Sequence, residues 1–126
     1  MNANAFLTRI ILYARDVRSL AEFYRDMLGL SVVGEITEDW AVLGAGHCEL
    51  ALHRAGVGYR GSDSDSSSRN SNAKLVFVVH DEMVALRAKL IANGVAMREI
   101  KTYVGFTGPL CDGTDPEGNV FQLAQA

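Results

Sequence analysis

Few side chains in this chain are able to do chemistry, so each can be weighed singly. His47, Glu49 and His53 have the same parity in the run HCELALH, and on a strand they would share a face, as the ligands of a divalent metal must. Six residues of strand separate His47 from His53 by about 20 Å, too far for one ion. Only His47 with Glu49 remains as a pair. His80 falls between an apolar run and an amphipathic one, where a solvated or helix-capping role is the plainer reading. No Ser-His-Asp or Cys-His arrangement can be built, because the serines of GSDSDSSSRNSN have linker composition rather than that of a strained nucleophile turn. The GAG at 44–46 follows an apolar run but opens no helix, which argues against a phosphate cradle. Trp40, Tyr59, Tyr103 and Phe106 fall in or beside loops. Rim packing is their ordinary role, and stacking walls for a flat ligand the functional one.

A sequence present in two copies must position these residues. RIILYARDVRSLAEFYRDMLGL at 9–30 and KLVFVVHDEMVALRAKLIANGV at 74–95 each run from an apolar strand past an Asp, through an amphipathic helix, to a Gly. Arg9 and Lys74, Leu12 and Phe77, Asp16 and Asp81, and Gly29 and Gly94 all stand 65 residues apart. Repeated units of this kind seldom bury their apolar faces alone, so the two copies are expected to form one closed or half-closed sheet. In the first copy, strands are expected at Phe6–Tyr13, Leu30–Ile36, Ala41–Leu43 and Cys48–His53. A helix over Val17–Leu28 is expected to be capped by Asp16 and closed by Gly29. The second copy repeats the pattern with strands at Lys74–Val79, Val95–Lys101, around Leu110 and at Val120–Ala124, and a helix over Asp81–Ala92. DPEGN at 115–119 is its last turn. The organisation expected is one domain over 1–126, with a β-α-β-β-β module at 5–55, a flexible linker at 56–72 and a second module at 73–126.

Composition agrees with a compact domain: 126 residues, 48% hydrophobic, are enough to bury a shared core. No apolar run approaches the roughly 20 residues of a spanning helix, and MNANAF lacks the features of a signal peptide, so a cytoplasmic, non-membrane protein is expected. Cys48 and Cys111 are too few for a disulfide framework and lie in no Cys/His cluster. A reduced compartment is the simpler assumption, although the spacing does not forbid their pairing. A net charge of −3 without a basic stripe argues against nucleic acid and leaves a small molecule or a protein as partner.

Two stretches, ARDVRSLAEFYRDMLGL at 14–30 and DPEGNVFQL at 115–123, resemble the most recurrent segments of the vicinal oxygen chelate superfamily: glyoxalase I, extradiol dioxygenases, fosfomycin-resistance enzymes and bleomycin-resistance proteins. The resemblance extends over nearly the whole chain and implies an α+β fold of two β-α-β-β-β modules whose curved mixed sheet surrounds a cavity, commonly in a dimer. It also implies a divalent metal held from the first and last strands of each module. Matched residue by residue, those positions are Arg9, Glu49, Lys74 and Gln122. Neither a guanidinium nor an ammonium has a lone pair to give, and two oxygens beside two cations would not compete for Mg²⁺, Mn²⁺ or Fe²⁺. The metal site is therefore expected to be lost, and no cofactor is expected.

Arg9, Lys74, Glu49 and Gln122 would bring a formal charge of +1 to one cavity. Either they satisfy one another as an internal network, Arg9 with Glu49 first, or Arg9 and Lys74 hold the anion or carbonyl oxygen of a ligand. Two functions follow. One is a metal-independent module that binds or sequesters a small molecule, as bleomycin-resistance proteins do, with Trp40, Tyr103 and Phe106 at the rim. The other is a lyase or dioxygenase-type enzyme, either with a displaced metal or with Glu49 as base and Lys74 or Arg9 stabilising an oxyanion. Binding is the favoured reading because only one carboxylate is in view, where catalysis wants an acid and a base. A homodimer is expected to close the sheet edges.

Overall fold

The helices form where local signals are strongest. In this computed structural model, which describes residues 4–56, 73–105 and 107–126, helix α1 spans Val17–Leu28. Asp16 is extended, its Oδ1 accepts from the Ser19 amide at 3.0 Å, and Gly29 ends the helix in the left-handed conformation at φ 73°. Val17, Leu20, Ala21 and Tyr24 form its buried stripe. Helix α2, Met83–Ala92, begins two residues later than Asp81. Gln125 causes the delay: its Nε2 donates to the Asp81 carbonyl at 2.7 Å and its Oε1 accepts from the Met83 amide at 2.8 Å. Glu82 becomes the cap, accepting from the amides of Val84 and Ala85.

The chain's contacts divide into two compact units, one ending at Asp63 and one beginning at Ser64. In the first, strands β1 (Arg9–Ala14), β2 (Ser31–Val33), β3 (Trp40–Ala45) and β4 (Cys48–Arg54) form a sheet in the order β1-β4-β3-β2. β1 runs parallel to β4 and the other pairs are antiparallel. In the second, β5 (Leu75–Val79), β6 (Ala96–Met97), β7 (Leu110–Thr114) and β8 (Val120–Gln125) repeat that topology as β5-β8-β7-β6. The fold is therefore α+β with two β-α-β-β-β units. Backbone pairing makes two four-stranded sheets of them rather than one continuous sheet. The linker expected at 56–72 lies outside the described residues except for Gly56.

Several strands are shorter than their apolar runs. β1 begins at Arg9, leaving Phe6 and Leu7 exposed before it. β2 stops at Val33, ahead of Gly34 at φ 78°. The run Val95–Lys101 keeps only Ala96–Met97 as regular strand, with one further bridge between Lys101 and Leu110. In the first unit the core lies on the helix side of the sheet, where Ala14, Ala41, Leu43, Leu50 and Leu52 are buried; Phe121, Leu123, Met83, Leu86 and Leu90 are the buried residues of the second. Gly113 is needed there for space: a Cβ on it would stand 2.5 Å from Met97 Sδ and 2.6 Å from Phe121 Cζ. The expected DPEGN turn is present. Asp115 is buried, and its Oδ1 accepts from the amides of Glu117 and Asn119 at 2.9 and 3.0 Å. Among the described residues no helix is long and apolar enough to cross a membrane.

Candidate functional site

Because each parallel pair puts its helix on one face of a sheet, the opposite face is left for polar side chains such as Arg9 and Glu49 in the first unit and Asp112 and Gln122 in the second. In the first unit Arg9 and Glu49 are direct partners across β1 and β4, and Arg9 Nε and Nη2 both donate to Glu49 Oε1, at 3.1 and 2.8 Å. The pair is 42% and 37% exposed, so solvent screens it and its worth is about 0–1 kcal/mol. The Arg9 guanidinium also lies 5.5 Å from the centre of the Trp40 ring. One rung of the same sheet carries Tyr13, His53 and Trp40, with His53 edge-on to both neighbours at 5.5 and 5.9 Å between ring centres. His47 is not on this face as a strand residue. It occupies the tight turn with Gly46, whose φ is 72°, between β3 and β4. His80 is exposed just beyond β5.

In the second unit Lys74 Nζ donates to Asp112 Oδ2 at 2.9 Å, and Gln122 Nε2 donates to Asp112 Oδ1 at 3.0 Å. Asp112 is thus a second carboxylate on a polar sheet face, beside the Glu49 expected from the sequence. Counting back from the DPEGN turn would have found it, since Thr114 pairs with Val120 and Asp112 therefore with Gln122. Burial pushes the Asp112 pKa up, but the hydrogen bonds from Lys74 and Gln122 and the charges of Lys74 and Arg98 outweigh it and hold the carboxyl below its ordinary value. These residues line a cleft of about 140 Å³ together with Arg98, Glu99, Lys101, Tyr103 and Leu110. Tyr103 stands half-exposed there, and Phe106 lies outside the described residues.

The closing rungs of the two sheets match. Ala14 pairs with Arg54 and Val79 with Gln125, and the amides of Ala55 and Ala126 donate to the carbonyls of Ala14 and Val79 at 2.8 Å. Counted from these rungs, Lys74 corresponds to Arg9, but Gln122 corresponds to Ala51 and Glu49 to Val120. The acidic positions of the two units therefore lie on different rungs.

A divalent metal does not fit this donor set. Glu49 and Asp112 each already accept from a side-chain cation, the Asp112 oxygens are both in use, and Glu99, in the same cleft as Asp112, shares its surroundings with Lys74, Arg98 and Lys101. Among the described residues no group of three or more His, Cys, Asp or Glu side chains is placed to hold a metal ion. Cys48 and Cys111 are both free. Burial raises the Cys111 thiol above its ordinary pKa against the opposing charge of Arg87, so it is no nucleophile.

Residues 9–124 match the model of a family described as Glyoxalase-like domain. No curated protein matches the chain by sequence. Among solved structures, similar folds include lactoylglutathione lyase from Agrobacterium tumefaciens, with a TM-score of 0.72, 19% identity, and coverage of 100% of this chain and 96% of that one. The fosfomycin resistance protein FosX from Listeria monocytogenes is similar at TM-score 0.70 and 13% identity, covering 100% and 95%. TnmS3, an antibiotic binding protein from a Streptomyces species, is similar at 0.74 and 19%, covering 99% and 98%.

The depressed Asp112 pKa makes a prediction about acid stability. A carboxyl with a folded pKa below its unfolded one adds stability above the unfolded value, about 3.9 for Asp, and that stability is lost as pH falls through the folded value. Asp112→Asn is expected to be less stable than the parent at pH 7 and to lose less stability than the parent between pH 5 and pH 2. Urea unfolding across that range measures both, and identical pH slopes in the two proteins would contradict the assignment.

Proposed function

The chain belongs to the glyoxalase-like domain family of the vicinal oxygen chelate superfamily, and from that premise we propose that it binds a small molecule on the polar sheet face of its second unit, without a metal and without catalysing a reaction. The observation that carries this reading is the cluster of Lys74, Asp112 and Gln122 lining the cleft, in which both Asp112 oxygens already accept hydrogen bonds. An ordered set of donors and acceptors remains, open to solvent on one side, and such a set suits the polar group of a ligand. Catalysis is less well supported. A general base works best with a pKa near the working pH and a free lone pair, whereas Asp112 is held ionised below its ordinary pKa by two donors. Glu49 is likewise engaged by Arg9. TnmS3 gives an instance of this fold in an antibiotic binding protein, which supports the fold's suitability for binding and names no ligand for this chain.

Lys74→Met separates the structural from the binding role of the cluster. It takes one of two donors from the half-buried Asp112 carboxylate, a solvent-screened contact worth about 0–1 kcal/mol, and should lower the melting temperature by no more than a few degrees. It should also reduce, without abolishing, the thermal shift that an anionic ligand produces in the parent, because the Asp112 charge is left uncompensated in the cleft; the shift is measured over a panel of anionic, aromatic and carbonyl compounds. A parent that shifts with no compound in the panel defeats the binding assignment.

We also infer a cytoplasmic homodimer, since strand edges are most often closed by a symmetric partner. Light scattering is expected to give twice the chain mass at micromolar concentration, and a monomer there would contradict it.

A further inference from the structure

Resting on the second-unit cleft as the binding site, we propose that its ligand carries an oxyanion, a carboxylate or a phosphate monoester, and that Arg98 and Lys101 take its charge rather than Lys74. Lys74 is already committed to Asp112. The Arg98 guanidinium acts on Asp112 through its charge alone, and neither it nor Lys101 Nζ has a hydrogen-bonding or ion-pair partner among the described residues. Two cations of the cleft therefore have no hydrogen-bonding commitment, and the carboxylates facing them there are Glu99 and the already engaged Asp112.

A backbone irregularity brings these two cations together. Arg98 and Lys101 are three residues apart, so a regular strand would point them to opposite faces. Here the Arg98 amide donates to the Asp112 carbonyl at 2.8 Å, and Lys101 exchanges both backbone bonds with Leu110 at 2.9 and 2.8 Å. Three steps on one strand oppose two on the other, which is a β-bulge, and it puts both cations beside Asp112 and Gln122 in one cleft. The bulge is anchored. The Arg98 carbonyl accepts from Arg87 Nε in α2 at 2.8 Å and from Cys111 Sγ at 3.3 Å. A fixed backbone that sends a guanidinium and an ammonium into one cleft can present donors to two oxygens of one acid group. Leu110 and Tyr103, in the same cleft, offer apolar surface for the carbon attached to it. A volume of about 140 Å³ accommodates a head group, so the rest of the ligand extends beyond the cleft.

Amide chemical shifts of the ¹⁵N-labelled full chain, followed during titration with benzoate, phenyl phosphate, benzamide and benzylamine, test this. Shifts are expected at Arg98, Lys101, Asp112 and Gln122, with at least one of the two anions binding about tenfold tighter than benzamide or more. Whether benzoate or phenyl phosphate is the tighter decides between the two acids. Arg98→Gln and Lys101→Gln should each weaken the anion by about threefold to tenfold, Arg98→Lys should retain most of its affinity, and Glu99→Gln should tighten it. Benzamide or benzylamine binding as tightly as both anions, or affinities unchanged in Arg98→Gln and Lys101→Gln, would overturn the clamp and leave the binding site standing. Silence of the Lys74, Asp112 and Gln122 amides toward all four compounds would overturn the site itself, and the clamp with it.

Discussion

The parallel pairing of a unit's first strand with its last is the contact on which the rest of each unit depends. A parallel partner cannot be reached by a tight turn, so the chain must leave β1 through a longer connection, which here runs through α1, β2 and β3 before β4 pairs with β1. The helix covers one face of the sheet with Val17, Leu20, Ala21 and Tyr24, and Arg9 and Glu49 take the other. The same pairing brings Arg9 beside Glu49 across 40 residues of chain; in the second unit Lys74 meets Asp112 across 38.

On those polar faces charge has to be matched, and the two units do it differently. The first uses a direct ion pair on one rung, with Trp40 behind the guanidinium. The second uses a carboxylate held from two sides, by an ammonium and an amide. The units agree where packing decides, Leu50 and Leu52 of one corresponding to Phe121 and Leu123 of the other, all buried. They differ on the polar face, where Ala51 stands at the position of Gln122. Internal similarity thus fixes the architecture and leaves the chemistry of each unit separate.

What the sequence made legible was local. The limits of α1 were readable to the residue because Asp16 and Gly29 act through bonds to their own neighbours. The last turn was readable because Asp115 bonds within its own loop. The pairing of Arg9 with Glu49 followed from charge within one module. Asp112, by contrast, acquires its role only through register with Gln122. Arg98 and Lys101 needed a bulge that no residue announces, since its anchors come from Arg87 in a helix and Cys111 in the next strand. The start of α2 was displaced by Gln125 from the far end of the sheet, and His47 by a turn at Gly46. Apart from the turn at Gly46, which is local, these are tertiary effects that override local pattern.

Side-chain donors already engage Glu49 and Asp112, which leaves a divalent ion a poor set of oxygens on the polar faces of this chain. Calorimetric titration of the purified chain with Mn²⁺, Ni²⁺ and Zn²⁺ at neutral pH tests it most directly. The expected result is no saturable binding near one equivalent per chain at micromolar concentration. Binding of one equivalent that disappears in Glu49→Gln or Asp112→Asn would contradict it.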